Sequence, residues 1–534
     1  MEQVEGHAGR GRGGEEPDRD RDQAEGDRAG ADGVRRHGLH DSTMLPMMRA
    51  GMVSPMDSVS APVERRHVGV LTALSALALV AFFALMAWLQ YGGSRVESVA
   101  EPERALALIV GRTMDFDEAI ARAPAWERFF YRVMSSEPAG DLREAIRWYE
   151  ELADQSFDPT VDLYLAILEG EAGRLDSVQR RMDEWDHRPD PLPELARLVA
   201  AAYLGDELDT PPGTVLDEAL GEALETGWFR DRIATRLASR AGDRELLGRV
   251  TEAQVVRSDR LLLRMRPMIA LELVLLGVGL LALIRLARRR GALARVGAAI
   301  LPPPWRGREG VVVLVRGGAL GVITLSVLYL YSVVGPEQPF TRVMLGTVTN
   351  LAFVPVLVLA YGRLLRPSEL RFGESFGLVP VAGGWRSLAL VFLALLAVGQ
   401  LGEGVMDVAG RWLGLSAHWT EWFDRDLVWG APLVVGVTLL DTVVLTPVFE
   451  EIVFRGLLFA TLRRRFGTSV AAVLSAGIFA VAHGYGVLGF AAVFWSGLLW
   501  AWAYERTGSL LPSIASHAVD NLMASLGVIL VLRG

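Results

Sequence analysis

The chain contains no cysteine among its 534 residues. This absence excludes disulfide bonds, thiolate metal sites and a cysteine nucleophile, and it leaves the redox compartment open. The His-Glu-x-x-His motif, which binds zinc in many peptidases, is also absent. Histidine is scarce: the chain has eight, and only His483 and His517 lie inside apolar segments.

Hydrophobic residues make up 51% of the chain and are concentrated in long uncharged runs. Because about 20 apolar residues span the hydrocarbon of a bilayer, these runs predict an all-α, polytopic membrane protein with about nine spans. The net charge of -9 comes largely from other segments, and we expect a lipid bilayer around the protein and no nucleic-acid partner. The predicted spans are 68–93, 267–287, 311–335, 343–363, 387–410, 431–462, 468–484, 486–504 and 509–532.

The composition changes along the chain predict separate segments, one of them an inserted extramembrane all-helical domain. Within that domain, Asp158-Pro159 and Asp190-Pro191 each open a helical stretch, at an offset near the roughly 34-residue tetratricopeptide period. The domain is either without a readable function or a platform that captures a protein partner. The predicted segments are a disordered tail at 1–66, an uncleaved anchor at 67–93, the helical domain at 94–266, spans with a linker at 267–335, and a C-terminal membrane domain at 340–534.

Arginine-rich connections alternate along the chain and predict the orientation of the protein. They fall on one side of the membrane if the N-terminus is cytoplasmic, as the excess of positive charge on the inner side requires. The helical domain then lies outside the cytoplasm, in the periplasm if the protein sits in a bacterial inner membrane. The connections contain Arg65 and Arg66, Arg285 and Arg288 to Arg290, Arg363 and Arg366, and Arg463 to Arg465.

Two adjacent carboxylates and an arginine interrupt the apolar stretch that runs from Leu445 to Gly456. An ionisable residue inside a membrane costs about 2.5 to 3.5 kcal/mol on insertion scales, so its presence indicates function. On a helix Glu451 and Arg455 share a face, whereas Glu450 points about 100° away. Pro447 lies one turn upstream, where it is expected to kink or open the helix.

Four polar residues in the last third of the chain are expected at similar depths in the membrane. Glu450 is 13 residues from Arg463, His483 is 14 from Ser469, and Asn521 is 12 from Ser509. At about 1.5 Å per residue these three lie about 18 to 21 Å from the cytoplasmic helix ends. His517 precedes Asn521 by one turn, on the same face and about 6 Å shallower.

A carboxylate, two imidazoles and a carboxamide near one depth provide the groups that amide hydrolysis requires. Glu450 is the candidate base for a water molecule, and His483 and His517 either bind a divalent metal or polarise the water directly. Asn521 is the candidate donor to the oxyanion, and Arg455 is expected to pair with Glu451 and to leave Glu450 unneutralised.

Each of these features has a simpler explanation when it is taken alone. The Glu451–Arg455 pair is then a structural ion pair, and a single histidine is a hydrogen-bonded packing residue. Asn521 alone is a polar residue that holds neighbouring helices together through a hydrogen bond. Their coincidence near one depth on three helices favours the catalytic interpretation, because it requires several independent and costly placements.

These residues resemble the motifs of a known family. Glu450-Glu451-x-x-x-Arg455, Phe479-x-x-x-His483 and His517-x-x-x-Asn521 are similar, in order and interval, to those of the CAAX-protease and bacteriocin-processing (Abi) family of intramembrane endopeptidases. The resemblance covers about residues 340–532 and is strongest from 445 to 525.

Membership in this family implies an all-helical membrane fold with a cavity that opens toward the cytoplasm. It implies Glu450 and His483 as the water-activating pair, with His517 and Asn521 supporting the oxyanion. It also implies a metalloprotease whose divalent metal, with zinc expected, is bound by His483, His517 and Glu450. Eukaryotic relatives cut prenylated peptides and bacterial relatives act in bacteriocin immunity or peptide processing, but nothing in this sequence indicates a prenylated substrate.

The sequence therefore predicts an intramembrane metalloendopeptidase that hydrolyses a peptide bond of a membrane-presented protein or peptide. One alternative is a non-catalytic membrane scaffold or bacteriocin-immunity protein that binds a partner through its helical domain. Another is a transporter or proton relay. The sequence speaks against it, because no pair of interrupted helices repeats in the two halves.

Overall fold

The computed structural model describes residues 63–92, 95–134, 138–188, 192–206, 224–288, 296–334, 344, 346–381 and 384–533. Helices account for the regular structure of this part of the chain, apart from one isolated bridge between Gly297 and Pro380. The predicted all-α, polytopic fold is confirmed. The predicted disordered tail lies outside the described residues except at its end, where 63–66 already belong to the first helix.

The longer helices are numbered in chain order. They are α1 (Val63–Gly92), α2 (Pro102–Arg122), α3 (Ala125–Met134), α4 (Pro138–Ala153), α5 (Pro159–Glu171), α6 (Leu175–Trp185), α7 (Leu192–Tyr203), α8 (Trp228–Ala241), α9 (Arg244–Arg288), α10 (Gly307–Val334), α11 (Gly346–Ser368), α12 (Trp385–Leu413), α13 (Pro432–Leu462), α14 (Thr468–His483), α15 (Val487–Thr507) and α16 (Leu511–Leu532).

Eight helices in the described part of the chain are long and apolar enough to cross a membrane, against about nine predicted. They are α1, α9 to α13, α15 and α16. The predicted span at 468–484 corresponds to α14, which has 16 residues. At 1.5 Å per residue this helix is roughly 24 Å long, which is short for a hydrocarbon core of about 30 Å.

Helices α2 to α8 and the first half of α9 form the helical domain, which has its own buried core. Ile146 and Tyr149 of α4 are fully buried there, together with Leu163 and Ile167 of α5. Asp158 begins α5 as its N-cap and accepts a hydrogen bond from the Thr160 amide at 2.9 Å. The tetratricopeptide-like repeat stays a prediction, since residues 189–191 lie outside the described part.

The boundary predicted between residues 266 and 267 falls inside one continuous helix. Helix α9 runs for 45 residues and contains Pro267. Its first half belongs to the helical domain, and its second half enters the membrane bundle beside α12. Gly279 permits this approach, because a Cβ atom there would collide with the Leu393 carbonyl oxygen. A single helix thus connects the helical domain to the membrane bundle.

An ion-pair triad holds three helices of the helical domain together. Arg257 of α9 binds both carboxylate oxygens of Asp115 on α2 at 2.7 Å and lies 2.7 Å from Asp231 on α8. Asp115 is buried. Removing one partner of a buried ion pair leaves an uncompensated charge, and this typically costs about 3–5 kcal/mol.

We predict that Arg257→Met lowers the thermal midpoint of the full-length protein in detergent by several degrees, measured by tryptophan fluorescence. Arg249→Met is the matched control, because Arg249 forms an exposed pair with Glu245 on the same helix. Exposed pairs contribute about 0–1 kcal/mol, so the control should melt like the wild type. Equal midpoints for both variants would contradict the structural role of the triad.

Candidate active site

Helix α13 carries the two adjacent glutamates, and its backbone departs from regular α geometry around them. Two stretches of π-helix, Asp441–Leu445 and Glu451–Phe459, flank the short α-helical turn Thr446–Glu450. Pro447 lies in that turn and lacks an N–H, so the surrounding turns widen instead of kinking sharply. The sequence predicted the disturbance at Pro447 but not the wider helix that begins at Glu451.

Glu451 and Arg455 form an ion pair inside the membrane domain. The Arg455 Nη1 atom donates to the Glu451 Oε1 atom at 2.7 Å, and neither side chain is exposed to solvent. The guanidinium carbon lies 4.1 Å from the ring centre of Phe479 and 4.8 Å from that of Trp500. The negative faces of these two rings stabilise the cation where water is excluded.

His517 of α16 lies between the two glutamates. Its Nε2 atom is 3.7 Å from the Glu450 Oε2 atom, and its Nδ1 atom is 3.4 Å from the Glu451 Oε1 atom. The imidazole stacks on the Trp500 ring with centroids 4.3 Å apart. The Oε2 atoms of Glu450 and Glu451 are both buried without a hydrogen-bond partner. Of the two carboxylates, Glu451 pairs with Arg455, and Glu450 faces the His517 Nε2 atom.

His483 is the last residue of α14 and is oriented by its own helix. Its Nδ1 atom is 2.8 Å from the Phe479 carbonyl oxygen. Because a carbonyl only accepts, this contact assigns the proton to Nδ1 and leaves the Nε2 lone pair free. The imidazole is also close enough to interact electrostatically with His517 and Arg455.

Asn521 lies one turn beyond His517, and its amide is attached to α13. The Nδ2 atom donates to the Thr442 carbonyl oxygen at 2.9 Å. That bond ties α16 to the π-helical stretch before the glutamates. One of its two N–H groups is thus used, and the oxyanion role of Asn521 stays a prediction.

A cavity of about 850 Å³ opens beside the glutamates and contains both Glu450 and His483 in its lining. Most of its wall is apolar, as is typical of sites that bind an apolar group next to a few polar ones. Leu79, Phe82 and Phe83 of the anchor α1 form one side of it. The anchor helix is therefore part of the cavity wall.

The metal predicted at His483, His517 and Glu450 has no matching geometry. In the described ranges, no group of three or more His, Asp or Glu side chains is arranged to hold a metal ion. Glu450 and His517 face each other, but as placed they do not complete such a group with His483. The metal therefore stays a prediction.

The structure brings Glu450, Glu451, Arg455 and His517 into direct proximity and places His483 on the same cavity. Sequence reasoning missed Trp500, which contacts both His517 and Arg455. An aromatic residue in an apolar span resembles any lipid-facing residue, so no signal in the sequence distinguishes it. Asp441, the first residue of the π-helical stretch before the glutamates, accepts a hydrogen bond from Asn350 at 2.6 Å.

Comparison with known proteins identifies one segment. Residues 432–523 match the family model described as Rce1-like, type II CAAX prenyl endopeptidase Rce1-like. The match confirms the resemblance, and its segment contains all six predicted site residues. Neither curated proteins nor solved structures gave a match. The matched segment begins at α13 and excludes the anchor, the helical domain and α9 to α12.

We predict that Arg455→Met strongly destabilises the protein, because it leaves the Glu451 carboxylate buried without its cation. Arg463→Met is the control, since Arg463 pairs with Glu505 at 2.9 Å near the end of α13, where both side chains are partly exposed. The double variant Glu451→Gln/Arg455→Met should recover part of the loss, because both charges are then absent. Thermal midpoints in detergent measure all three. A midpoint for Arg455→Met equal to that of Arg463→Met would contradict the assignment.

Proposed function

We propose that this protein is an intramembrane endopeptidase that hydrolyses a peptide bond of a protein or peptide presented at the membrane. The observation that carries the proposal is the Glu450 carboxylate, which has no hydrogen-bond partner at Oε2 and lines a large cavity together with His483. A buried carboxylate without a cation is costly, and its neighbour Glu451 already holds the available arginine. The family match of residues 432–523 supports the same reaction class.

In this mechanism Glu450 takes a proton from a water molecule, and the water oxygen attacks the carbonyl carbon of the scissile peptide bond. The carbon–oxygen double bond becomes a single bond to an oxyanion. Glu450 then returns the proton to the amide nitrogen as the carbon–nitrogen bond breaks, which releases a carboxylic acid and an amine. His483 orients the attacking water through its free Nε2 atom.

His517 and Asn521 are the proposed donors to the oxyanion. His517 holds one ring nitrogen toward each glutamate, so its orientation depends on the Glu451–Arg455 pair. The second N–H of the Asn521 amide is the one that serves the oxyanion. Both residues lie on α16 one turn apart and act on the same side of the substrate.

The divalent metal, with zinc expected, stays a separate prediction. A bound metal would lower the pKa of the attacking water. Metal analysis of the purified wild type and of the His483→Ala/His517→Ala variant decides between the two roles left open for the histidines. If the double variant contains one equivalent of metal less than the wild type, the two histidines are metal ligands. If the two proteins contain equal amounts of metal, the histidines act as hydrogen-bonding groups.

The proposed orientation places the N-terminus in the cytoplasm and the helical domain on the opposite side, which is the periplasm in a bacterial inner membrane. If α14 is counted as a crossing, the segments that follow α1, α12 and α14 all lie on the same side of the membrane. The structure joins these three regions, because Glu421 contacts both Arg95 and Gly486. The substrate is the proposed partner of the membrane domain, and a protein partner is proposed for the helical domain.

Glu450→Gln and His483→Ala are each expected to reduce cleavage by at least about 100-fold, the lower range of general acid–base contributions. Membranes from cells that produce wild type or variant are compared by mass spectrometry of newly formed peptide termini. At least one terminus should appear with the wild type and be lost in both variants.

Glu403→Gln is the matched control for this experiment. Glu403 lies in α12 and lines a different cavity of about 690 Å³, together with Glu272 and Asp520. Termini should form normally with this variant. If no terminus depends on Glu450, the hydrolase proposal fails and the scaffold or immunity function is favoured.

A further inference from the structure

The loop of residues 414–431, between α12 and α13, is held by the helical domain. Trp419 is fully buried and belongs to the same core as Tyr149 and Ile146 of that domain. His418 lies 3.1 Å from the Glu151 carboxylate, and its ring packs edge-on against Trp148. The loop and the helical domain thus share one continuous core.

Polar contacts hold the same loop at its rim. Arg425 lies 2.6 Å from the Glu101 carboxylate, and both side chains are substantially exposed. The Arg104 guanidinium lies 4.4 Å from the ring centre of Trp429. Arg533, beyond α16, donates to the carbonyl oxygens of Leu427 and Gly430. Docking of the helical domain therefore fixes the position of the loop.

Glu421 in this loop reaches the active-site helices. Its side chain is only 7% exposed, and its Oε1 atom lies 2.8 Å from Arg95 Nη1. The same oxygen accepts a hydrogen bond from the Gly486 amide at 3.0 Å. Gly486 is the N-cap of α15 and has no side chain to cap the helix. The Glu421 carboxylate supplies that cap and also places negative charge at the positive end of the helix.

The turn that Glu421 holds begins directly after His483. Gly484 adopts a left-handed backbone with φ of 66°, which reverses the chain between α14 and α15. The Tyr485 ring lies 5.6 Å from the His483 ring. Burial raises the pKa of Tyr485, and the carboxylates of Glu450 and Glu421 raise it further. Tyr485 therefore lies within electrostatic range of both the catalytic base and Glu421.

We infer that Glu421 is a positioning residue for the active site: bound to Arg95 and to the Gly486 amide, it fixes the turn that follows His483 and thereby the end of the helix that carries this residue. Glu421 lies outside the segment that matches the family, and its ion-pair partner Arg95 lies at the start of the helical domain. Through Arg95 and this loop, the helical domain is thus connected to the turn that follows His483. This inference rests on the proposed function, and its test has a readout that does not depend on cleavage.

The first measurement is amide hydrogen exchange of the full-length protein in lipid nanodiscs. Glu421→Ala removes both the cap and the ion pair, so exchange of residues 484–490 should become about tenfold faster. Glu421→Gln keeps an oxygen acceptor for the Gly486 amide but loses the charge, and should give an intermediate rate. Arg425→Ala is the matched control, because it removes an exposed contact of the same loop, and it should leave this exchange unchanged.

The second measurement is the rate at which Glu450-dependent peptide termini form in membranes. Displacement of a catalytic group can lower the reaction rate by up to about 100-fold. Glu421→Ala and Arg95→Ala should therefore slow cleavage between about tenfold and 100-fold. Arg95→Lys keeps the positive charge and should restore most of the rate. Arg95→Ala leaves the Glu421 carboxylate buried without its cation and should therefore also lower the thermal midpoint. Glu421→Gln leaves no such carboxylate, so its thermal midpoint should stay close to that of the wild type while its cleavage is slowed, which separates positioning from a loss of folding.

Unchanged exchange at 484–490 and unchanged cleavage in Glu421→Ala would overturn the positioning role and leave the protease proposal intact. A change in exchange without any Glu450-dependent terminus in the wild type would overturn the protease proposal instead. Loss of activity that Arg95→Lys fails to restore would also overturn the role of the ion pair.

Discussion

A buried charge pair determines the arrangement of the C-terminal membrane domain. Glu451 and Arg455 meet at 2.7 Å with neither side chain exposed. In an apolar interior an arginine without its carboxylate is costly, and so is a carboxylate without its arginine. The pair is enclosed by Phe479 of α14 and Trp500 of α15, so three helices must converge for it to be stable. The positions of the remaining site residues follow from that convergence.

The buried ion pair gives the adjacent residues Glu450 and Glu451 different surroundings. Glu451 is neutralised by Arg455, and its carboxylate also faces His517. Glu450 receives no such cation and borders the cavity. The π-helical backbone that begins at Glu451 widens the helix where these two side chains diverge. Widened turns of this kind often occur at functional sites, where a less favourable backbone geometry places side chains for function.

The helical domain and the membrane bundle are joined by more than the chain. The 45-residue α9 belongs to both, and Trp419 from the membrane half is buried in the core of the helical domain. Glu421 continues this connection from Arg95 to the turn beside His483. The helical domain lies outside the matched family segment and still contacts the structure that positions a predicted catalytic residue.

The sequence by itself determined the all-helical membrane fold, because the thickness of the hydrocarbon core requires long apolar runs and those are visible without a structure. It also determined the site residues as candidates, since every charge or imidazole in such a run is costly and therefore noticeable. It did not determine the length of α14, the role of Trp500 or the contact of Glu421 with Gly486. Those depend on which helices face each other and on residues far apart in the chain, and only packing in three dimensions decides that.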